Sequence, residues 1–214
     1  MKVCLHVVGR AGKLLRRSLH VIYRRMKQRP RMIMFCCVLL IPLQLWAADY
    51  PEEIPFVPTP MEVVDKMLAL AEVKQGDVLY DLGSGDGRIV IRAAQKYGIR
   101  AVGIEMDRSL LAKAREDAKA AAVSHLVDFR DEDALKADIS AATIVTLYML
   151  PWFNDRMKPN FQKMLKPGAR IVAHDFGIEG WQPEKTLKLP GYELRPGGYK
   201  HQHTLYLWRI INHF

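Results

Sequence analysis

The feature that most constrains this chain is a short strand-like run, Asp77-Val78-Leu79-Tyr80-Asp81, that passes into Leu82-Gly83-Ser84-Gly85-Asp86-Gly87-Arg88. An apolar helical stretch, Ile89 to Tyr97, follows directly and is stopped by Gly98. A strand, a glycine-rich turn and a helix in that order bring backbone close to a ligand at the carboxyl end of a parallel sheet. Glycines also make ordinary strand-to-helix turns, so the pattern gains meaning from its neighbours. Asp81 precedes the first glycine, Gly83, Gly85 and Gly87 are spaced G-x-G-x-G, Glu105 ends the next strand-like run, 18 residues after Gly87, and Asp133 follows the third. Together these predict a nucleoside-type cofactor site with Glu105 placed to meet ribose hydroxyls.

The loop chemistry narrows the ligand. A dinucleotide fingerprint, G-x-G-x-x-G, brings a helix N-terminus to a pyrophosphate, whereas this loop is flanked by Asp81 and Asp86. Two carboxylates repel a diphosphate and suit a cationic, phosphate-free ligand. S-adenosylmethionine, with its sulfonium and ammonium, is such a ligand.

The remaining pattern from residue 54 alternates β-branched runs with helical stretches, the signature of a parallel sheet wrapped by helices. Thr59-Pro60-Met61-Glu62 reads as an N-cap, a proline at the first helical position and a capping-box glutamate, before a helix with Val63, Val64, Met67, Leu68 and Ala71 on one face. Further strands are expected at 101–104, 126–129, 142–147 and 170–173, with a helix capped by Asp107 and another through Met157, Phe161, Met164 and Leu165, restarted at Pro159. Leu187–Leu194 and Thr204–Ile210, joined through Arg195-Pro196-Gly197-Gly198, leave no room for a long crossover and predict an antiparallel pair at the end of the sheet.

Charge divides the chain in two. Residues 1–48 hold ten basic side chains and no acid, which leaves 22 basic against 23 acidic in residues 49–214. The overall net charge of +9 therefore belongs to the leader, and composition offers the folded part no basic face for a nucleic-acid backbone. Cys4, Cys36 and Cys37 all fall in the leader, so no cysteine chemistry is available after residue 48. A basic stretch, an apolar run from Met32 to Leu43 and Ala47-Ala48 before a polar start have the layout of a secretory signal. An uncleaved anchor and an Arg-rich presequence are the rival readings, and Met26 or Met32 is an alternative initiator. The expected organisation is a leader over 1–48 and one domain over 49–214, membrane-associated or exported with the leader and cytoplasmic without it.

Asp81-Leu82-Gly83-Ser84-Gly85-Asp86-Gly87, Glu105 and Leu165-Lys166-Pro167-Gly168-Ala169-Arg170 resemble the class I, seven-stranded methyltransferases that use S-adenosylmethionine. Phe56-Val57-Pro58-Thr59-Pro60, Tyr80–Arg88 and Leu147-Tyr148-Met149-Leu150-Pro151 are similar to a small protein-lysine methyltransferase family. That family includes the mitochondrial enzymes acting on the adenine nucleotide translocase and on the c-ring protein of ATP synthase, and it has bacterial relatives. The resemblance implies a Rossmann-like, doubly wound and mostly parallel α/β sheet with an antiparallel last strand. It also implies that Asp81 and the loop of Gly83, Ser84, Gly85 and Gly87 hold the methionine part, Glu105 the ribose and Asp133 the adenine amino group. The stretch Gly180-Trp181-Gln182-Pro183 departs from the class, which has a long helix there.

A lysine acceptor, with a protein as partner, must lose its proton and its water before it attacks. Tyr148, Trp152, Phe153, Phe176 and Trp181 fall near the carboxyl ends of the fourth and fifth strands, where rings can wall such a channel or meet an ammonium; Phe153 and Phe176 read better as core. Asp175, Asn154 and Tyr148 are the candidate catalytic residues, Asp175 first, for orienting the amine. His174 reads as a bonded structural residue, and His201 and His203 alternate on a strand without a third ligand, so no metal is expected. Arg88 is expected to pair with an acid. The alternatives are methylation of a small molecule or a nucleic acid, and a binding module without turnover. Against adenine methylation, Leu150-Pro151-Trp152-Phe153 lacks the polar first residue and second proline of the usual turn.

Overall fold

Burial is nearly continuous along the short central strands, so the sheet presents an apolar face to each side and requires cover on both. In the computed structural model, which describes residues 54–193 and 200–211, helices supply that cover. The chain runs α1 (Met61–Leu70), β1 (Val78–Leu82), α2 (Arg88–Tyr97), β2 (Arg100–Glu105), α3 (Arg108–Ala120), β3 (Val127–Asp131), β4 (Ile144–Leu147), α4 (Pro151–Met164), β5 (Arg170–His174), β6 (Lys185–Glu193) and β7 (Lys200–Arg209). Val63, Val64, Met67 and Leu68 of α1 join Ile89, Val90, Leu111 and Ala114 over Leu79, Ile144 and Val172. Phe153, Met157 and Phe161 of α4 cover Tyr80, Leu82, Val145, Leu147 and Ile171 on the other side.

The strands form one seven-stranded sheet in the order β3-β2-β1-β4-β5-β7-β6. Neighbours from β3 to β5 are parallel, and β7 runs antiparallel to both β5 and β6. The order reverses between β1 and β4, and doubly wound sheets bind ligands beyond the carboxyl ends of the strands at such a reversal. Asp81 faces Thr146 across that boundary, and Glu105 ends the strand on the other side of β1.

Three local expectations change. Thr59 does not cap α1: Pro60 holds the cap position, with no side-chain cap bond. The buried Thr59 hydroxyl instead lies 3.2 Å from His174 Nδ1, because a hydroxyl out of water needs a partner and the end of β5 supplies one. Pro159 does not restart a helix; α4 runs unbroken from Pro151 with Pro159 inside, held by the burial of Met157 and Phe161 on either side. The last two strands begin earlier than the pattern suggested. Their ladder shifts register between Lys188 and Gly191, around Pro190, which has no N–H to give. The leader and the turn at 195–198 lie outside the described residues. Among the described residues, no helix is long and apolar enough to cross a membrane.

The amino end of the sheet is fastened by a buried ion pair. Arg170 donates to Asp77 and to the Ala71 and Glu72 carbonyls at 2.8 and 2.9 Å, while Thr143 and the Lys74 N–H complete the carboxylate's bonds at 2.8 and 2.9 Å. Burial pushes the Asp77 carboxyl up, but these donors hold it below its ordinary value. Asp77→Ala leaves the guanidinium uncompensated and is expected to cost about 3–5 kcal/mol in denaturant unfolding. Adding Arg170→Met should recover much of that loss; equal instability of the single and double variants would show that the pair is not the fastening.

Candidate active site

The turn after β1 is built from backbone that only glycine adopts easily. Gly83 and Gly85 have φ of 73° and 54°. A Cβ on Gly85 would lie 2.4 Å from the Phe56 ring, and one on Gly83 would lie 2.5 Å from Met149 Sδ. Both side chains lie directly against the loop, and the loop reading did not include them. The Gly83 and Ser84 N–H groups both donate to the Ile104 carbonyl, at 2.9 and 3.0 Å. Gly85 N–H donates to Glu105 Oε2 at 2.9 Å, while Glu105 Oε1 accepts from Met106 and Asp107 at 2.8 and 2.9 Å. Glu105 thus clamps the glycine loop to the end of β2.

Asp81 is 3% exposed, and its Oδ1 accepts the Thr146 hydroxyl at 2.8 Å. Burial pushes its carboxyl up to about 7; the Thr146 bond opposes the rise, and the Glu105 and Asp86 charges add to it. Asp86 is different. Burial raises it too, but Arg88, at 2.6 and 2.9 Å, holds it below its ordinary value. The expectation that Asp81 and Asp86 together make the loop anionic is therefore corrected: Arg88 offsets Asp86, and the uncompensated pair is Asp81 with Glu105. Asp133 follows β3 as expected, but its oxygens meet the Leu135 N–H at 3.0 Å and the Lys136 ammonium at 3.1 Å.

These residues fit S-adenosylmethionine. Among the described residues, a buried carboxyl facing a second acid lacks a cation, the Ser84 hydroxyl is buried with no hydrogen-bond partner, and the loop is glycine where backbone must approach closely.

The other half of the site gathers at the ends of β4 and β5. The Tyr148 phenol donates to Asp175; burial, then the charge and bond of Asp175, push it up to about 12. It therefore stays protonated at neutral pH, with oxygen lone pairs free to accept. Its ring lies 3.9 Å from that of His174 and stacks 6.3 Å from that of Phe176. Asp175 has φ of 59°, and its Oδ1 accepts the Thr204 N–H at 2.8 Å. Its Oδ2 stands 3.3 Å from His203 Nδ1 and 3.4 Å from His174 Nε2, and those two nitrogens are 2.8 Å apart. Both imidazoles are fully buried. His203 thus has two partners that the sequence pattern did not show, His174 and Asp175; the His201 side chain lies outside the described residues.

Asn154 takes a different place from a catalytic one. It is fully buried, and its amide nitrogen donates to the Phe176 and Gly177 carbonyls at 3.0 and 3.1 Å, so it holds the loop after β5. Phe153 is core as expected, whereas Phe176 is half-buried against Tyr148. Trp152 is half-buried beside Phe153, and Trp181 packs on Trp208.

The family model of the ANTKMT methyltransferase domain matches residues 81–185. A protein-lysine N-methyltransferase of Saccharolobus islandicus is 38% identical over 166 residues, 77% of this chain and 99% of its own. The adenine nucleotide translocase lysine N-methyltransferase of Mus musculus is 32% identical over 152 residues, 68% of this chain and 66% of its own. A crystal structure of an RNA methyltransferase from Salinibacter ruber with S-adenosyl-L-homocysteine is 51% identical, with a TM-score of 0.67, over 74% of this chain and 96% of that one.

A carboxyl raised by folding from 3.8 to about 7 favours the folded state below pH 4, and loses that contribution as pH rises through 7. Asp81→Asn removes the effect. The ligand-free variant should gain about 3 kcal/mol on the wild type between pH 5 and pH 8 in denaturant unfolding, and should fail to bind S-adenosylmethionine in calorimetry. A stability difference that does not change with pH would contradict the buried-charge account.

Proposed function

Because this chain belongs to the S-adenosylmethionine-dependent methyltransferase family described by the ANTKMT domain, we propose that its methyl acceptor is the side-chain amine of a protein lysine. The observation that carries the proposal is the Tyr148 phenol, held by Asp175 at the end of β4, next in the chain to the Met149 side chain that lies on Gly83. S-adenosylmethionine supplies a methyl group on a sulfonium sulfur, a carbon that needs little electrophilic help. The protein's task is to align an acceptor and deliver it unprotonated.

We assign Asp81, Ser84 and the glycine loop to the methionine part, Glu105 to the ribose and Asp133 to the adenine amino group. A cationic ligand beside Asp81 restores its ionised form, so binding relieves the strain that folding imposes. On the acceptor side, about one lysine in 2,500 is neutral at pH 7. Tyr148, Phe176 and Trp152 exclude water from an entering amine, which favours the neutral form. Both Asp175 oxygens are engaged, so Asp175 acts as a positioning residue: it draws the phenol hydrogen toward itself and turns the Tyr148 oxygen lone pairs to the amine N–H.

The name of the Salinibacter ruber structure supports a second reading, methylation of RNA. A phosphate backbone requires a basic face, whereas Asp81, Glu105 and Asp175 gather at the carboxyl edge and residues 49–214 hold 22 basic against 23 acidic side chains. These features favour a cationic acceptor. We also propose that residues 1–48 are a signal or anchor that brings the domain over 49–214 to a membrane, where its protein substrate is met.

Incubating the purified protein with methyl-labelled S-adenosylmethionine and separate soluble and membrane extracts tests this. Label removed by protease and recovered as methyl-lysine is expected, enriched in the membrane fraction; label removed by ribonuclease instead would overturn it. Tyr148→Phe should lower kcat about tenfold to a hundredfold, the worth of one hydrogen bond to a charged group, with cofactor affinity unchanged.

A further inference from the structure

Behind Tyr148 and Asp175 lies the pair of imidazoles that methyl transfer as described above does not use. We propose that His174 and His203 form the proton acceptor of this site, taking the ammonium proton of the incoming lysine through Tyr148 and Asp175. The proposal rests on the lysine reading.

The geometry satisfies the pair in both charge states. When His174 is neutral, its Nδ1–H meets Thr59 Oγ1 at 3.2 Å, and its Nε2 accepts from His203 Nδ1–H at 2.8 Å. When His174 is an imidazolium, Nδ1–H keeps Thr59, and Nε2–H and His203 Nδ1–H both turn to Asp175 Oδ2, 3.4 and 3.3 Å away. On protonation the bond between the two imidazoles is exchanged for bonds to the adjacent carboxylate. A buried imidazole with a single fixed set of partners would be locked in one state; this one is not.

The surroundings are consistent with that task. Among the described residues, the titratable groups in contact with the pair include Asp175 beyond β5, Tyr148 beyond β4 and the two histidines themselves, on β5 and β7. The segment before α1 contributes the uncharged Thr59 hydroxyl, whose own carbonyl is held by Arg88 at 2.9 Å. The phenol stays protonated up to about pH 12 and so serves as a conduit rather than a store. One proton leaves the ammonium for the Tyr148 oxygen, the phenol proton passes to Asp175, and a carboxyl proton reaches His174. Tyr148 and Asp175 end as they began, an ammonium has become an amine with its lone pair free, and an imidazole has become an imidazolium.

The test uses the full chain in detergent, without acceptor or cofactor, and follows the imidazole resonances by NMR with pH. His174 and His203 should titrate as a coupled pair that takes up one proton between pH 9 and pH 5; no uptake in that interval overturns the proposal. Kinetics then read the role. His203→Asn keeps a hydrogen-bonding group near the Nδ1 position, and is expected to slow label transfer at pH 7 at least tenfold while approaching wild type near pH 10, where free lysine loses its proton unaided. A loss equal at every pH, or no loss, overturns the relay. Stoichiometric zinc in the purified wild type, absent from His203→Asn, also overturns it, because the same three atoms would then be metal ligands. If the wild type labels no lysine, the substrate reading fails, while the NMR titration still decides whether the pair holds a proton.

Discussion

Folding takes the Asp81 carboxyl out of water without giving it a countercharge, and the carboxyl edge of the sheet is organised around that deficit. Thr146 offers one neutral hydrogen bond, and Glu105 adds a second negative charge. A buried carboxyl in that position costs the empty protein stability above neutral pH. Its retention makes sense where a cation arrives, and the phosphate-free cofactor of the family is one. The same deficit explains why the loop tolerates Asp86, which Arg88 neutralises before it can add much to the repulsion.

The two ends of β1 show the difference between a buried charge that is compensated and one that is not. Asp77 and Asp81 are four residues apart on one five-residue strand and its lead-in, and both are nearly inaccessible. Asp77 meets a guanidinium, a hydroxyl and a backbone N–H, and is held below its ordinary value; Asp81 meets one hydroxyl and is pushed up. Arg170 ties α1, β1 and β5 together at the amino end, so the opposite end can carry unbalanced charge without loosening the sheet. The fastening and the unbalanced charge thus lie at opposite ends of the strands.

What was legible in the sequence was what local backbone dictates. Gly83, Gly85 and Gly87 betray a left-handed turn because side chains are disfavoured there, and Glu105 betrays the adjacent strand end because one strand and one helix separate it from the loop. What was illegible depended on register and on competition between partners. Thr59 sits where a cap belongs, yet a contact 115 residues away takes its hydroxyl. His203 meets His174 only because β7 runs antiparallel beside β5 and brings residues 29 apart together. Asn154 read as a polar group at a site mouth, but the first turn of α4 carries it inward to the Phe176 and Gly177 carbonyls. Thr146 was the one signal available and unused: a polar residue inside an apolar strand, in register with Asp81.

The segment before α1 gives the two halves of the site a common wall. Phe56 rests on Gly85, the Thr59 carbonyl accepts from Arg88 at the start of α2, and the Thr59 hydroxyl meets His174 at the end of β5. A hydrogen-bonded line therefore runs from Asp86 through Arg88, Thr59, His174, His203 and Asp175 to the Tyr148 phenol. The cofactor loop and the acceptor pocket are built from separate strands, and in a doubly wound sheet nothing in the strand order obliges them to be held at a fixed distance. Residues 56–59 supply that constraint from outside the sheet. Methyl transfer depends on the alignment of nucleophile and methyl carbon, and this short stretch ties the glycine loop to the end of β5 through Phe56 and Thr59.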